Sequence, residues 1–169
     1  MRKYISLFLF AMIGAFGFTA CDVETDIEPG GTNVEKMAGK WEVTVDAVDD
    51  AGNVLYEDPY GMGTVIMYTY NTAANNNTEM WLDDDGEFWT FKMKVNVNYE
   101  GRTFECSAKD YDAKGSGQAT VTGGKILENA AKNLHGMPND SIVFNIVFSN
   151  DDYNLTYRVS GQRYTGFYE

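Results

Sequence analysis

Trp89-Thr90-Phe91-Lys92-Met93-Lys94-Val95-Asn96-Val97-Asn98 alternates between apolar or ring-bearing and polar side chains along its whole length. Successive side chains of a strand point to opposite faces, so this stretch predicts a β-strand with one packed face and one wet face. The same period of two recurs in Trp41, Val43, Val45 and Ala47, in Ile142, Phe144, Ile146 and Phe148, and in Tyr153, Leu155, Tyr157 and Val159. Further strands are predicted at Thr64–Thr72, Thr78–Asp83, Thr103–Ala108, Gln118–Thr122 and Gln162–Tyr168. One-sided strands of this kind belong to antiparallel sheets.

Hairpin chemistry separates these runs: Asp49-Asp50-Ala51-Gly52-Asn53, Asp83-Asp84-Asp85-Gly86, Glu100-Gly101, Gly123-Gly124 and Asn150-Asp151-Asp152. Many short strands at this spacing predict an all-β sandwich or barrel. One short helix is predicted at Ile126–Leu134. The segment Tyr153–Tyr168 reads either as a tight hairpin at Ser160-Gly161 or as one long strand with a Gly bulge. There is no internal repeat and no domain-sized linker, which predicts a single domain over residues 34–169.

Composition removes several functions. The 169 residues carry 13 Lys+Arg, 25 Asp+Glu and one His, for a formal charge of −12. Such acidity argues against nucleic-acid binding as the main role. Two Cys exclude a disulfide framework and zinc sites of the Cys₄ or Cys₂His₂ type. No metal site, cofactor or catalytic residue is predicted. There is no Gly-x-Ser-x-Gly elbow, and His135 stands in a Gly/Pro-flanked connection that reads as a solvated loop. Asp83-Asp84-Asp85-Gly86-Glu87 has the composition of a calcium loop, but Trp81 occupies the position where an EF-hand loop would need an acid, so it reads as a turn. Cys106, alternating with Phe104, reads as a buried small hydrophobe.

The first residues predict export. Arg2 and Lys3 precede an uncharged run from Tyr4 to Ala20, too short for the roughly 20 apolar residues of a membrane span and suited to a secretory signal. Small residues directly before Cys21 match bacterial lipoprotein processing, with cleavage after residue 20 and acylation of the Cys21 thiol. Residues 21–33 then form an acidic, Gly/Pro-containing tether with a reach of roughly 40 Å when extended. Its acidity also resembles the surface-export signals of Bacteroides-type lipoproteins. The expectation is an outer-membrane lipoprotein, either surface-exposed or facing the periplasm.

A sharper feature separates barrel from sandwich. Ala38-Gly39-Lys40-Trp41-Glu42-Val43 opens the body with Gly-x-Trp on the first strand, and Tyr157-Arg158-Val159-Ser160-Gly161-Gln162-Arg163-Tyr164-Thr165-Gly166-Phe167 closes it. A first-strand Trp covered by a final-strand Arg resembles the barrel closure of lipocalins and other calycins. Gly39, Trp41 and either Arg158 or Arg163 would form it, with a guanidinium on the indole face. The leader, the tether, "MAGKWEVTV" and "GQRYTGF" together resemble the Bacteroides-type lipoproteins called lipid-binding putative hydrolases. That resemblance implies a calycin-like, lipocalin-like antiparallel β-barrel of about eight strands, and the binding of a lipid or other hydrophobic small molecule. It maps no catalytic motif onto this chain.

In such a barrel Trp89, Phe91, Met93, Val95, Phe144, Ile146 and Tyr157 are the expected inward, ligand-facing residues. Met62, Met67, Met80 and Met93 are adaptable gap-fillers. A rival expectation is a filled barrel that docks cell-surface protein partners through Tyr56, Tyr60, Tyr68 and Tyr70. Asp140-Ser141-Ile142 resembles an O-glycosylation acceptor of exported Bacteroides-type proteins, which marks Ser141.

Overall fold

A computed structural model describes residues 31–166. The expectations for the leader, for Cys21 and for most of the tether therefore lie outside the described residues. Residues 31–166 belong to one compact unit.

Nine strands follow in order: β1 (Gly39–Val48), β2 (Val54–Tyr56), β3 (Val65–Asn71), β4 (Glu79–Asp83), β5 (Lys92–Asn98), β6 (Thr103–Asp110), β7 (Gln118–Lys132), β8 (Pro138–Phe148) and β9 (Thr156–Arg163). All pairings are antiparallel, and pairing of β1 with β9 from Trp41↔Arg163 to Val48↔Thr156 closes the sheet. Eight strands, β1 and β3 to β9, form the barrel. The short β2 pairs only with the end of β1, at Ala47 and Val48, beyond the stretch that β3 covers. Closure removes the exposed edges that an open sheet would present.

Alternation along each strand divides inside from outside, as the period of two predicts. Val43, Val45, Met67, Met80, Leu82, Met93, Val95, Phe144, Ile146, Tyr157 and Val159 are almost wholly buried. Their polar neighbours on the same strands face outward. Cys106 is buried among them, as expected, and burial pushes its thiol pKa up.

Three sequence expectations are corrected. Gly123-Gly124 is not a hairpin turn, and Ile126–Leu134 is not a helix; both lie largely within the fifteen-residue β7, whose register against β8 slips between Thr122 and Lys125 and again between Leu127 and Ala131. Gly123 and Asn129 take left-handed φ values of 63° and 53° at these bulges. Gly124 lies against the backbone of Phe104, where a Cβ would not fit. Ile126 is buried and paired with Ile142, so tertiary pairing overrides the helical propensity of its Leu, Glu and Ala neighbours. Among the described residues there is no helix.

The third correction concerns strand ends. The expected strand at Trp89 begins only at Lys92, because Thr90 sits at φ 60°. Tyr153 and Leu155 likewise precede β9, and Tyr153 is 76% exposed. Neither reading of Tyr153–Tyr168 holds in full: there is no hairpin at Ser160-Gly161, but the strand that runs through it covers only Thr156–Arg163 and carries no bulge at Gly161, which lies so close to the Glu42–Val43 backbone that a Cβ would collide with it.

Candidate functional site: a clamped end and an aromatic mouth

The two ends of the barrel differ. At one end the segment before β1 packs underneath, with Val34 and Met37 fully buried against Trp41. The Trp41 indole N–H donates to Thr69 Oγ1 at 2.8 Å, and Thr69 in turn donates to the Met37 carbonyl at 2.6 Å. Arg163 lies across the indole, its guanidinium carbon 4.5 Å from the ring centroid. It donates to the Ala38 carbonyl at 2.5 Å and pairs with Asp140 at 3.2 Å. A Cβ on Gly39 would strike Arg163 and come within 3.3 Å of Trp41. That contact is the physical reason for Gly-x-Trp at this place.

Arg163 is thus the closing arginine. Arg158 is not: it projects to the outer wall and donates to the Gly52 carbonyl at 3.0 Å, at the opposite end. Register explains the difference, since Arg163 pairs with Trp41 while Arg158 pairs with Asp46.

The opposite end is a mouth formed by residues 49–64, 84–91, 111–117 and 149–155. Its rings touch one another. Trp89 stacks on Phe148 at 4.4 Å with the planes 6° apart. Phe148 also meets Phe91 at 5.8 Å and Tyr111 at 5.5 Å, and Phe88 meets Tyr157 at 5.3 Å. Tyr60, on the loop after β2, closes over Phe88, Trp89 and Tyr157 at 5.9–6.2 Å.

Asp84 holds this cluster in place. Its buried carboxylate accepts backbone N–H bonds from Gly86, Phe88, Trp89, Thr90 and Phe91 at 2.7–3.2 Å. The acidic run therefore contains one carboxylate committed to shaping the loop that presents Phe88 and Trp89. Among the described residues no cluster of acids, His or Cys is arranged to hold a metal ion.

Asp151 plays a similar part opposite. Only 5% exposed, it accepts from the N–H groups of Tyr153 and Leu155 at 3.1 and 2.8 Å, and from the Tyr157 hydroxyl at 3.0 Å. The Tyr157 oxygen lies 2.6 Å from that of Tyr60. Burial, the hydrogen bonds with Tyr60 and Asp151 and the charge nearby together push the Tyr157 phenol pKa above its ordinary value.

Of the seven residues expected to face a ligand, Phe91, Met93, Val95, Phe144, Ile146 and Tyr157 are buried inside the barrel, and Trp89 is half-buried at the mouth. Trp89, Phe91 and Tyr157 are brought together there. Met93, Val95, Phe144 and Ile146 lie farther in, with Phe144 against Phe104 at 5.6 Å. Met67, Met80 and Met93 stand on the consecutive strands β3, β4 and β5, all buried. Sequence reasoning did not single out Phe88, Asp84, Asp151 or the place of Tyr60 over the rings of the mouth. Phe88 had a signal, as the neighbour of Trp89; the two aspartates looked like ordinary turn residues.

A family model described as lipid-binding putative hydrolase matches residues 26–168. The chain belongs to that family. A comparison with curated proteins finds no match. For a lipid-binding putative hydrolase, the eight-stranded barrel supplies an apolar interior of the kind a lipid or other hydrophobic ligand needs.

Other expected residues fall elsewhere. Tyr56 and Tyr60 line an outer groove with Val54, Leu55, Tyr153 and Leu155. Tyr68 and Tyr70 are half-buried on β3, with Lys40 6.0 Å and Lys92 5.2 Å from their rings. Ser141 lies inside β8 rather than at a strand edge, between β7 and β9, and its hydroxyl donates to the Gly161 carbonyl at 2.8 Å. His135 occupies the exposed turn between β7 and β8.

Proposed function

We propose that this protein is a membrane-anchored lipoprotein, held through acylated Cys21, whose barrel binds a hydrophobic small molecule or lipid and performs no chemistry on it. The observation that carries the binding reading is the asymmetry of the two ends. One is locked by Trp41, Arg163 and the segment beneath them. The other is covered by rings and by a loop whose Tyr60 is 46% exposed.

An incoming alkyl chain has to part Tyr60 from Phe88 and Trp89, then repack a buried interior in which Met93 stands among branched side chains such as Val45, Leu82 and Ile146. Unbranched thioethers repack at little strain. Burial then supplies affinity at roughly 25 cal/mol per Å² of apolar surface removed from water.

The test uses the purified full chain and N-phenyl-1-naphthylamine, an uncharged probe that fluoresces in apolar surroundings. One saturable site, weakened by Trp89→Glu in a chain with unchanged circular dichroism, supports the reading. Absence of saturable fluorescence contradicts it.

The groove of Val54, Leu55, Tyr56 and Tyr153, 42–76% exposed, favours a second reading, an interaction module for cell-surface proteins. Large exposed apolar clusters mark such contacts.

A further inference from the structure

The polar chemistry of the mouth is one-sided. Asp151 offers only acceptor atoms when ionised, and the hydroxyl hydrogen of Tyr157 is already given to it. In the 2.6 Å contact between the two phenols Tyr60 is therefore the donor and Tyr157 the acceptor. When Tyr60 swings aside, the Tyr157 oxygen loses its donor and becomes an unsatisfied acceptor among the rings of Phe88, Trp89 and Phe148. A buried acceptor left without a donor is penalised, because it has given up water without gaining a partner.

Charge points the same way. The segments 49–64, 84–91, 111–117 and 149–155 hold ten carboxylates against the single Lys114. Glu57 and Asp58 flank the lid, Asp151 lies directly behind Tyr157, and Asp152 follows it. Arg158 is turned to the outer wall, towards Gly52. A carboxylate or phosphate brought to this rim would meet an acceptor and a like charge, with Lys114 the only cation in these four segments. Both effects disfavour it.

We infer that Tyr157, backed by Asp151, selects hydrophobic ligands whose polar end donates a hydrogen bond and bears no negative charge, the ligand's donor taking the place of the Tyr60 hydroxyl. Long-chain alcohols and hydroxyl-bearing neutral lipids fit this description; fatty-acid anions do not. The inference rests on the binding reading above and adds the head-group class to it.

The experiment displaces N-phenyl-1-naphthylamine from the full chain at pH 7 with three ligands of equal chain length, each below its aggregation limit: dodecanol, dodecyl methyl ether and dodecanoate. Dodecanol is expected to compete at concentrations roughly tenfold below the other two, the size of one hydrogen bond. Tyr157→Phe should erase the difference between alcohol and ether while dodecanoate stays disfavoured. Asp151→Asn should bring dodecanoate closer to the ether. Ether or dodecanoate competing as well as dodecanol in the unmodified chain would overturn the inference and leave barrel binding intact. If the probe fails to bind, or none of the three displaces it, the binding reading itself falls. The comparison of the three ligands on the unmodified chain decides the matter even where a variant does not fold.

Discussion

The Tyr60 hydroxyl lies 2.6 Å from that of Tyr157, so an exposed loop is tied by a hydrogen bond to a side chain that is fully buried. The rest of that loop is held by its own turn: the Asp58 carboxylate accepts from Met62 and Gly63, each at 2.8 Å, and the Asp58 N–H reaches Asp46 at 3.2 Å. The loop is thus tied to the barrel at two points, through Asp58 to Asp46 on β1 and through Tyr60 to Tyr157, and only the second reaches the interior.

Tyr60→Phe keeps the ring and removes the latch. The variant should lose about 1 kcal/mol of stability, read as a thermal midpoint lower by about 2–4 °C. Association of an apolar probe should become faster in stopped flow, because the lid opens more often. An unchanged association rate would mean that ligands do not pass under Tyr60.

Arg163→Ala removes the guanidinium from Trp41 and its bond to the Ala38 carbonyl. Loss of about 2 kcal/mol is expected from chemical denaturation. Arg158→Ala, on the outer wall, should change stability by less than about 1 kcal/mol. Gly39→Ala should resemble Arg163→Ala, because the added methyl group drives the arginine off the indole. Equal effects of the two arginines would contradict the assignment of Arg163.

Asp84→Ala leaves five loop N–H groups without their acceptor. Each buried orphan costs about 1–3 kcal/mol, reduced where water reaches the loop, so a total loss of about 3–5 kcal/mol is expected. Trp89 emission should shift to the red as the loop loosens. Asp84→Asn, which retains one acceptor oxygen, should lose less.

Cys106 gives a pH-dependent prediction. Burial is the main cause of its raised pKa, so the folded protein keeps the thiol protonated where the unfolded chain begins to lose the proton, near the ordinary thiol value of 9.0. The unfolded state then binds fewer protons than the native one, and this group's contribution to stability falls as pH rises above that value. In a Cys21→Ser chain, Cys106 is the sole thiol. It should react with a thiol reagent at pH 8 at the rate of unfolding, and rapidly in denaturant.

The sequence made the barrel legible because its strands pack one face only, so Val43, Met93 and Ile146 announce the interior by alternation. Closure was legible in Trp41, although register alone chose Arg163 over Arg158. Gly123-Gly124 misled because glycine pairs serve bulges as well as turns, and only the long partner strand β8 distinguishes them. Ile126–Leu134 misled for a related reason: its composition favours a helix locally, while pairing of Ile126 with Ile142 holds it in the sheet. The mouth was partly legible. Trp89, Phe91 and Tyr157 were visible as apolar positions, but their assembly depends on two carboxylates, Asp84 and Asp151, whose backbone partners lie in loops. Nothing in the spacing of an aspartate within a turn reveals that it is buried.

The barrel should hold a hydrophobic molecule. Native mass spectrometry of the full chain, purified from a lipid-containing host and measured before and after organic extraction, addresses it most directly. One additional discrete mass per chain is expected, removed by extraction and restored by an added long-chain alcohol. An identical mass before and after extraction, with no uptake of the alcohol, would contradict it.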